Sequence, residues 1–340
     1  MRRLRERFSG PAPSDALLFW AVFAAACMFS MVSLERSSYF LHWDVASQHV
    51  AALDFLQGCW GYDAGKPLIM FVLALTYGLF GANPVLESVL LVLAAGLAAA
   101  SLFLVARTAL PGRGWALATT LWFFDWPTTL YYTRIHLGYA LALFLAGLAA
   151  GTRGRDLHSG VLLALGLLAH PGLALPVLAW FAATAAFSQR HGLKRTLIGV
   201  GGLALTLLLL EALRYAFTGE TFGWWQGQVT DVHAYSGTGG GTRWSHVLEA
   251  FWLANGGLHS TLCLIGIAAF LATMRRHGRS PGDPVFVTAL TVLAFYAVRT
   301  GAGVAGFNTR LLLGVNPLLA ITAMAGMAHA IPARRWPHRP

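Results

Sequence analysis

The sequence predicts an all-α polytopic membrane protein of about ten transmembrane helices, with an amphipathic loop helix and one short interfacial or re-entrant helix on the outer face. Three observations carry that prediction. With 56% hydrophobic residues, only 11% charged and a mean hydropathy of +0.60, the chain cannot wrap an apolar core in a polar surface, so lipid must be its solvent. Long apolar runs recur along all 340 residues and are separated by short basic turns. One apolar run, Pro67–Phe80, has 14 residues, about 21 Å of helix against a hydrocarbon core of about 30 Å.

The chain opens on a basic flank, MRRLRERF, followed by an apolar segment from Ala16 to Val32. Cleavage of a signal peptide near Ala24-Ala25-Ala26-Cys27 is one reading; the number of later spans favours a retained signal-anchor helix entering from the cytoplasm. Residues 33–83 form the first outer loop. Its Glu35, Arg36, Asp44, Asp54, Asp63 and Lys66 are of mixed sign, unlike the basic loops that stay inside.

If Pro67–Phe80 does not cross, the following spans are Pro84–Leu110, Trp115–Tyr132, Leu137–Gly151, Gly160–His170, Gly172–Phe187, Thr196–Phe217, Leu248–Met274, Pro284–Arg299 and Leu311–Ala330. The turns at Arg107/Arg113, Arg153/Arg155, Arg190/Lys194/Arg195, Arg275/Arg276/Arg279 and Arg334/Arg335/Arg339 then all face the cytoplasm, together with both termini. Counting Pro67–Phe80 as a span would move the next four clusters outside. Pro171 leaves two readings of residues 160–187, one kinked helix or two helices. No soluble domain is expected; the 340 residues read as one transmembrane domain, placed in a bacterial-type cytoplasmic (inner) membrane. The formal net charge of +10 is dispersed over turns, which argues against a nucleic-acid partner. Cys27, Cys59 and Cys263 have no metal or disulfide spacing.

The polar chemistry collects on the outer side. His42 and Asp44 precede a helical stretch in which Asp44, Ser47, Gln48, Ala51 and Asp54 share one stripe, with Val45, Ala52, Leu53 and Leu56 opposite. Such a helix is expected to lie flat on the membrane with its acids toward water. Asp125 falls at the outer end of the third span, where a carboxylate at membrane depth costs about 2.5–3.5 kcal/mol and needs a cavity or a partner, Trp126 or Tyr132 being the nearest donors. Arg134 and His136 follow it. Glu211 and Arg214 read as a buried structural pair. Residues 218–247 form a Gly- and aromatic-rich outer loop whose Gly237–Gly241 suits a lid, and whose Asp231 and His233 alone make no metal site. Arg299 and Arg310 end two spans, where an arginine either snorkels to headgroups or holds a phosphate.

The run HWDVASQHVAALDFLQGCW, then GKPL, an amphipathic stretch ending LFG and a long span, resembles the C-type glycosyltransferase superfamily, in its protein-mannosyltransferase-like and aminoarabinose-transferase-like branch. GVLLALGLLAHPGLALP is similar to that family's short-turn helix pair, and NTRLLLGVNPLLAI to its last-span Arg followed by Pro. Where the family shows an acidic pair this chain has Asp44-Val45, and His136 stands about where members often have an acid. The resemblance implies a polyprenyl-phosphate sugar donor held at the outer face, with the membrane lipids and an unspecified acceptor as partners. It implies Asp44 as the base for the acceptor hydroxyl or as a ligand of a divalent cation (Mg or Mn), with His136 as a second catalytic candidate. Lys66, Arg310, Arg134 and Arg299 would stabilise the leaving phosphate, and His42, Asp54 and Asp125 are further candidates. Two other classes remain open: a transporter or flippase lined by the same charges, and a noncatalytic membrane subunit of the same fold.

Overall fold

The computed structural model describes residues 13–34, 43–60, 66–133, 135–188, 191–219, 251–274, 282–301 and 312–330, and among these there is no strand. The helices are α1 (Pro13–Leu34), α2 (Trp43–Leu56), α3 (Pro67–Phe80), α4 (Pro84–Ala109), α5 (Arg113–Phe124), α6 (Pro127–Thr133), α7 (Leu137–Thr152), α8 (Asp156–Ala169), α9 (Ala174–Phe187), α10 (Gly192–Thr218), α11 (Gly257–Met274), α12 (Asp283–Gly301) and α13 (Asn316–Ala330). A further helical turn covers residues 251–255. By length and composition α1, α4 and α10 are long and apolar enough to cross a membrane, and the bent pair α6 and α7 makes a fourth when taken as one span. The chain is therefore a membrane protein.

Prolines and local caps set the starts. Pro67 and Pro84 occupy first-turn positions of α3 and α4, where a missing N–H costs nothing. The Asn83 side chain accepts from the Val85 N–H at 2.9 Å and so caps α4. The two readings of residues 160–187 resolve into two helices. Pro171 disfavours helical backbone at the preceding residue, and His170 is accordingly extended (φ −158, ψ 116), its Nδ1 accepting from the Gly172 N–H at 3.1 Å. The third apolar segment is interrupted at Asp125–Trp126, between α5 and α6, where a single span over Trp115–Tyr132 was expected. Pro127 is the reason: it cannot donate within the helix that would otherwise continue.

Among the described residues, the basic turns at Arg107/Arg113, Arg153/Arg155 and Arg195 gather at one end of the bundle. Asp15, near the start of α1, holds Arg113 at 2.6 Å and lies 3.9 Å from Arg107. Asp156, in the first turn of α8 where a carboxylate favours the helix dipole, receives Arg195 at 3.0 Å, and Arg195 also donates to Ser188 Oγ at 3.0 Å and to the Gly151 carbonyl. A crevice between Asp156, Ser159, Trp180, Thr184 and Arg195 has room for about one water molecule. Replacing Arg195 by Met leaves the half-buried Asp156 carboxylate without its partner and is expected to destabilise the fold by about 2–4 kcal/mol, read as a lowered Tm in detergent. An unchanged Tm would show the pair to be solvent-screened.

The short helix α3 lies across the opposite, far end of the bundle. Leu68 and Phe71, near its start, pack with Leu168 and Leu210, close to the ends of α8 and α10 that are remote from their basic starts. Tyr77, near its other end, meets the first turn of α4 through His49. Both halves of α3 thus touch one end of the bundle, and α3 does not run along it.

Two pairs of helices approach closely enough to exclude side chains. A Cβ on Gly160 of α8 would stand 1.9 Å from the carbonyl oxygen of Gly199 on α10, and one on Gly326 of α13 would stand 1.9 Å from that of Gly266 on α11. Small residues permit such contact where lipid supplies no hydrophobic drive to associate.

Candidate functional site

The hairpin of α2 and α3 brings the candidates of the first loop to the far end. Lys66 is the N-cap of α3 (φ −133, ψ 58) and is half-buried. Asp44 lies in the first turn of α2; its side chain, like those of His42 and Arg134, lies outside the described residues. Asp54 is half-buried in the last turn of α2, and its carbonyl accepts from the Gln57 and Cys59 N–H groups at 3.0 and 2.9 Å, closing the turn before Trp60.

Part of the α2 stripe expected to face water is buried, and of the side expected to face the membrane Leu53 and Leu56 are exposed while Ala52 is not. Gln48 and Ala51 are each 1% exposed and Ala52 is fully buried, whereas Val50, Leu53 and Leu56 are 55%, 43% and 48% exposed. The medium accounts for the difference. Beside lipid the apolar side faces outward and the polar stripe turns inward, toward groups that can satisfy it.

Those groups were not singled out from the sequence. His49 Nε2 stands 3.1 Å from Glu87 Oε2, and the carboxylate is 2% exposed in the first turn of α4. His49 Nδ1 also meets the Tyr77 hydroxyl of α3, and the two rings stack at 5.8 Å and 11°. Tyr139 of α7 is close enough to Glu87 and Tyr77 to interact electrostatically with both. One signal was available: Glu87 is a lone acid in the 26-residue apolar helix α4, and an intramembrane acid marks a site or a partner. At the other end of α2, Phe55, Trp60, Phe71 and Phe217 form an aromatic cluster with centroid separations of 5.0–6.5 Å. Arg214, 6% exposed, lies over the Trp60 ring at 5.9 Å, so the buried charge expected beside Glu211 has an aromatic neighbour.

A second polar group sits where α5 gives way to α6. Asp125 Oδ2 is 3.1 Å from His259 Nε2 of α11, a partner 134 residues away in place of the expected Trp126 or Tyr132. Trp122 and Trp126 flank that imidazole at 6.5 and 6.3 Å. Beneath it Thr128 Oγ1 donates to Asn255 Oδ1 at 2.5 Å, and Asn316 Nδ2 donates to the same oxygen at 2.9 Å, all three side chains being buried. His136 is 2% exposed in the turn that opens α7.

Arg310, Asp231 and His233 lie outside the described residues. Arg299 is in the last turns of α12, its side chain likewise outside them. Among the described residues no three of His, Cys, Asp and Glu gather as a metal-binding group.

No family model matches the chain, and no curated protein matches it. Among solved structures it is similar to the crystal structure of ArnT from Cupriavidus metallidurans bound to undecaprenyl phosphate, with a TM-score of 0.66 at 19% identity. The similarity covers 94% of this chain and 61% of that one. The chain thus shares the fold of that protein, over somewhat less than two thirds of its length.

Proposed function

We propose that this chain is a membrane glycosyltransferase that moves a sugar from a polyprenyl-phosphate donor to an acceptor at the outer face of the membrane. The observation that carries the reading is the position of Lys66 and Asp44, both on the α2–α3 hairpin at the end of the bundle opposite the basic turns. The likeness to a structure that holds undecaprenyl phosphate supports the donor class. In this reading ten segments cross, both termini are cytoplasmic, and the hairpin lies at the outer interface, where a lipid-linked phosphosugar presents its scissile bond.

The chemistry asks little of the protein beyond charge and proton placement. The acceptor hydroxyl attacks the anomeric carbon, the bond from that carbon to the phosphate oxygen breaks, and its electron pair leaves with the lipid phosphate. The Lys66 ammonium opposes the charge that grows on that oxygen, with Arg134, Arg299 and Arg310 as further cations. Asp44 takes the hydroxyl proton, and His136 is the second candidate for that transfer.

The test is cleavage of undecaprenyl-phosphate sugars by the purified protein in lipid vesicles, followed by mass spectrometry of the released lipid phosphate. Lys66→Ala is expected to lower turnover about 10²–10³-fold, the scale of losing one preorganised transition-state contact, without change in Tm. Absence of cleavage across a donor panel, with solute or lipid crossing the vesicle membrane, would replace the enzyme by a transporter.

A further inference from the structure

We infer that His49 and Glu87 form a positioning pair that sets where α2 sits on the bundle, and through α2 the location of the proton acceptor assigned to Asp44. The catalytic consequence rests on the glycosyl-transfer reading; the positional one does not.

The helix α2 buries Gln48, Ala51 and Ala52 against the protein, and two larger contacts lie at its ends. Its last turn is fixed by apolar contact, Phe55 packing on Phe71 at 5.1 Å and on Phe217 of α10 at 5.0 Å. Its outward face is exposed, and α3, on which it chiefly packs, does not run along the bundle. The first half of α2 meets the long helix α4 through the His49–Glu87 contact. One imidazole therefore ties three elements: Glu87 of α4 on Nε2, the Tyr77 hydroxyl of α3 on Nδ1, and α2 itself.

The chemistry of the contact suits orientation better than stability. A buried ion pair contributes little beyond what apolar side chains of equal volume would. Its direction is another matter, since a carboxylate at 2% exposure accepts a polar neighbour in a narrow range of places, while the apolar contacts at Ala51, Ala52 and Phe55 lie in the second half of α2 and leave its first half to pivot about them. Asp44 lies five residues before His49, about 7.5 Å along the helix, so a pivot about these contacts displaces position 44 more than position 49. A shift of about 1 Å in a reacting group costs on the order of 10²-fold in rate.

The experiment places spin labels at Ala46→Cys on α2, nine residues from Phe55, and Leu178→Cys on α9, both exposed, in the full chain lacking Cys27, Cys59 and Cys263. The unaltered pair is expected to give one narrow distance distribution. Glu87→Gln, which keeps volume and hydrogen bonding but removes the charge, should broaden it or shift it by about 5 Å, on the order of one helical turn. In the same variant kcat should fall about 10²-fold with donor KM little changed, and Glu87→Asp should recover part of both. If Glu87→Gln does not fold, Tyr77→Phe, which removes only the hydroxyl on Nδ1, should give a smaller broadening in the same direction. A distribution identical to the unaltered one in the folded variant overturns the inference, whatever the activity. Failure of the glycosyl-transfer reading is seen separately, as no turnover before any substitution at Glu87.

Discussion

Asp44→Asn is expected to lower sugar transfer from a polyprenyl-phosphate donor about 10²–10⁴-fold, the usual contribution of a positioned general base, while Tm and donor binding stay as they were. Asn has nearly the volume of Asp, and position 44 shares its helical stripe with Gln48 and Ala51, so hydrogen bonding and helix packing survive the change. What is lost is the ability to take a proton from the acceptor hydroxyl as the new glycosidic bond forms. The sign of the pH dependence follows: a carboxylate base fails when protonated, so the unaltered enzyme should lose kcat/KM on the acid side. The Asn variant should show a low rate without that limb. A variant with full activity would remove Asp44 from the mechanism, and a variant with the acid limb intact would assign it to another group. Val45 stands where the resembling family carries a second acid, so the residue after Asp44 in sequence supplies no carboxylate to substitute for it.

How much of this was legible depended on whether the cause was local. The shortness of Pro67–Phe80 is a property of 14 consecutive residues, and helix α3 begins and ends there. The break at His170–Pro171 follows from the proline itself. The helical membrane fold followed from composition, and the structural likeness agrees with that coarser reading. The inward polar face of α2 was misread for a physical reason. Periodicity identifies two faces of a helix but does not say which meets the protein, and beside lipid the usual assignment reverses. Glu87 was passed over because its partner His49 lies on another helix, and Asp125 was given a neighbour in sequence when its partner lies 134 residues on. Such contacts become visible only once the helices are packed.

Gly160→Val is expected to abolish the folded state at 37 °C, whereas Gly201→Ala on the facing helix α10 should leave it unharmed. The first Cβ would stand 1.9 Å from the Gly199 carbonyl oxygen, and the second meets nothing within 4 Å. The obstacle at Gly160 is backbone rather than the tip of a flexible side chain, so α8 and α10 must separate along the whole crossing, where Gly202 also approaches the Leu157 carbonyl. Overpacking of this kind costs about 1–3 kcal/mol when the surroundings relax, and more when two backbones must part. Gly201→Ala instead gains about 0.5–1 kcal/mol of helix propensity. Size-exclusion profiles and Tm in detergent compare the two directly, and equal behaviour would show that the crossing is looser than drawn. The crossing also bears on the candidate site. Leu168 of α8 and Leu210 of α10 form the apolar seat for Leu68 and Phe71, two and five residues after Lys66, so helices forced apart at Gly160 would carry away the support beneath the cation proposed to oppose the leaving phosphate.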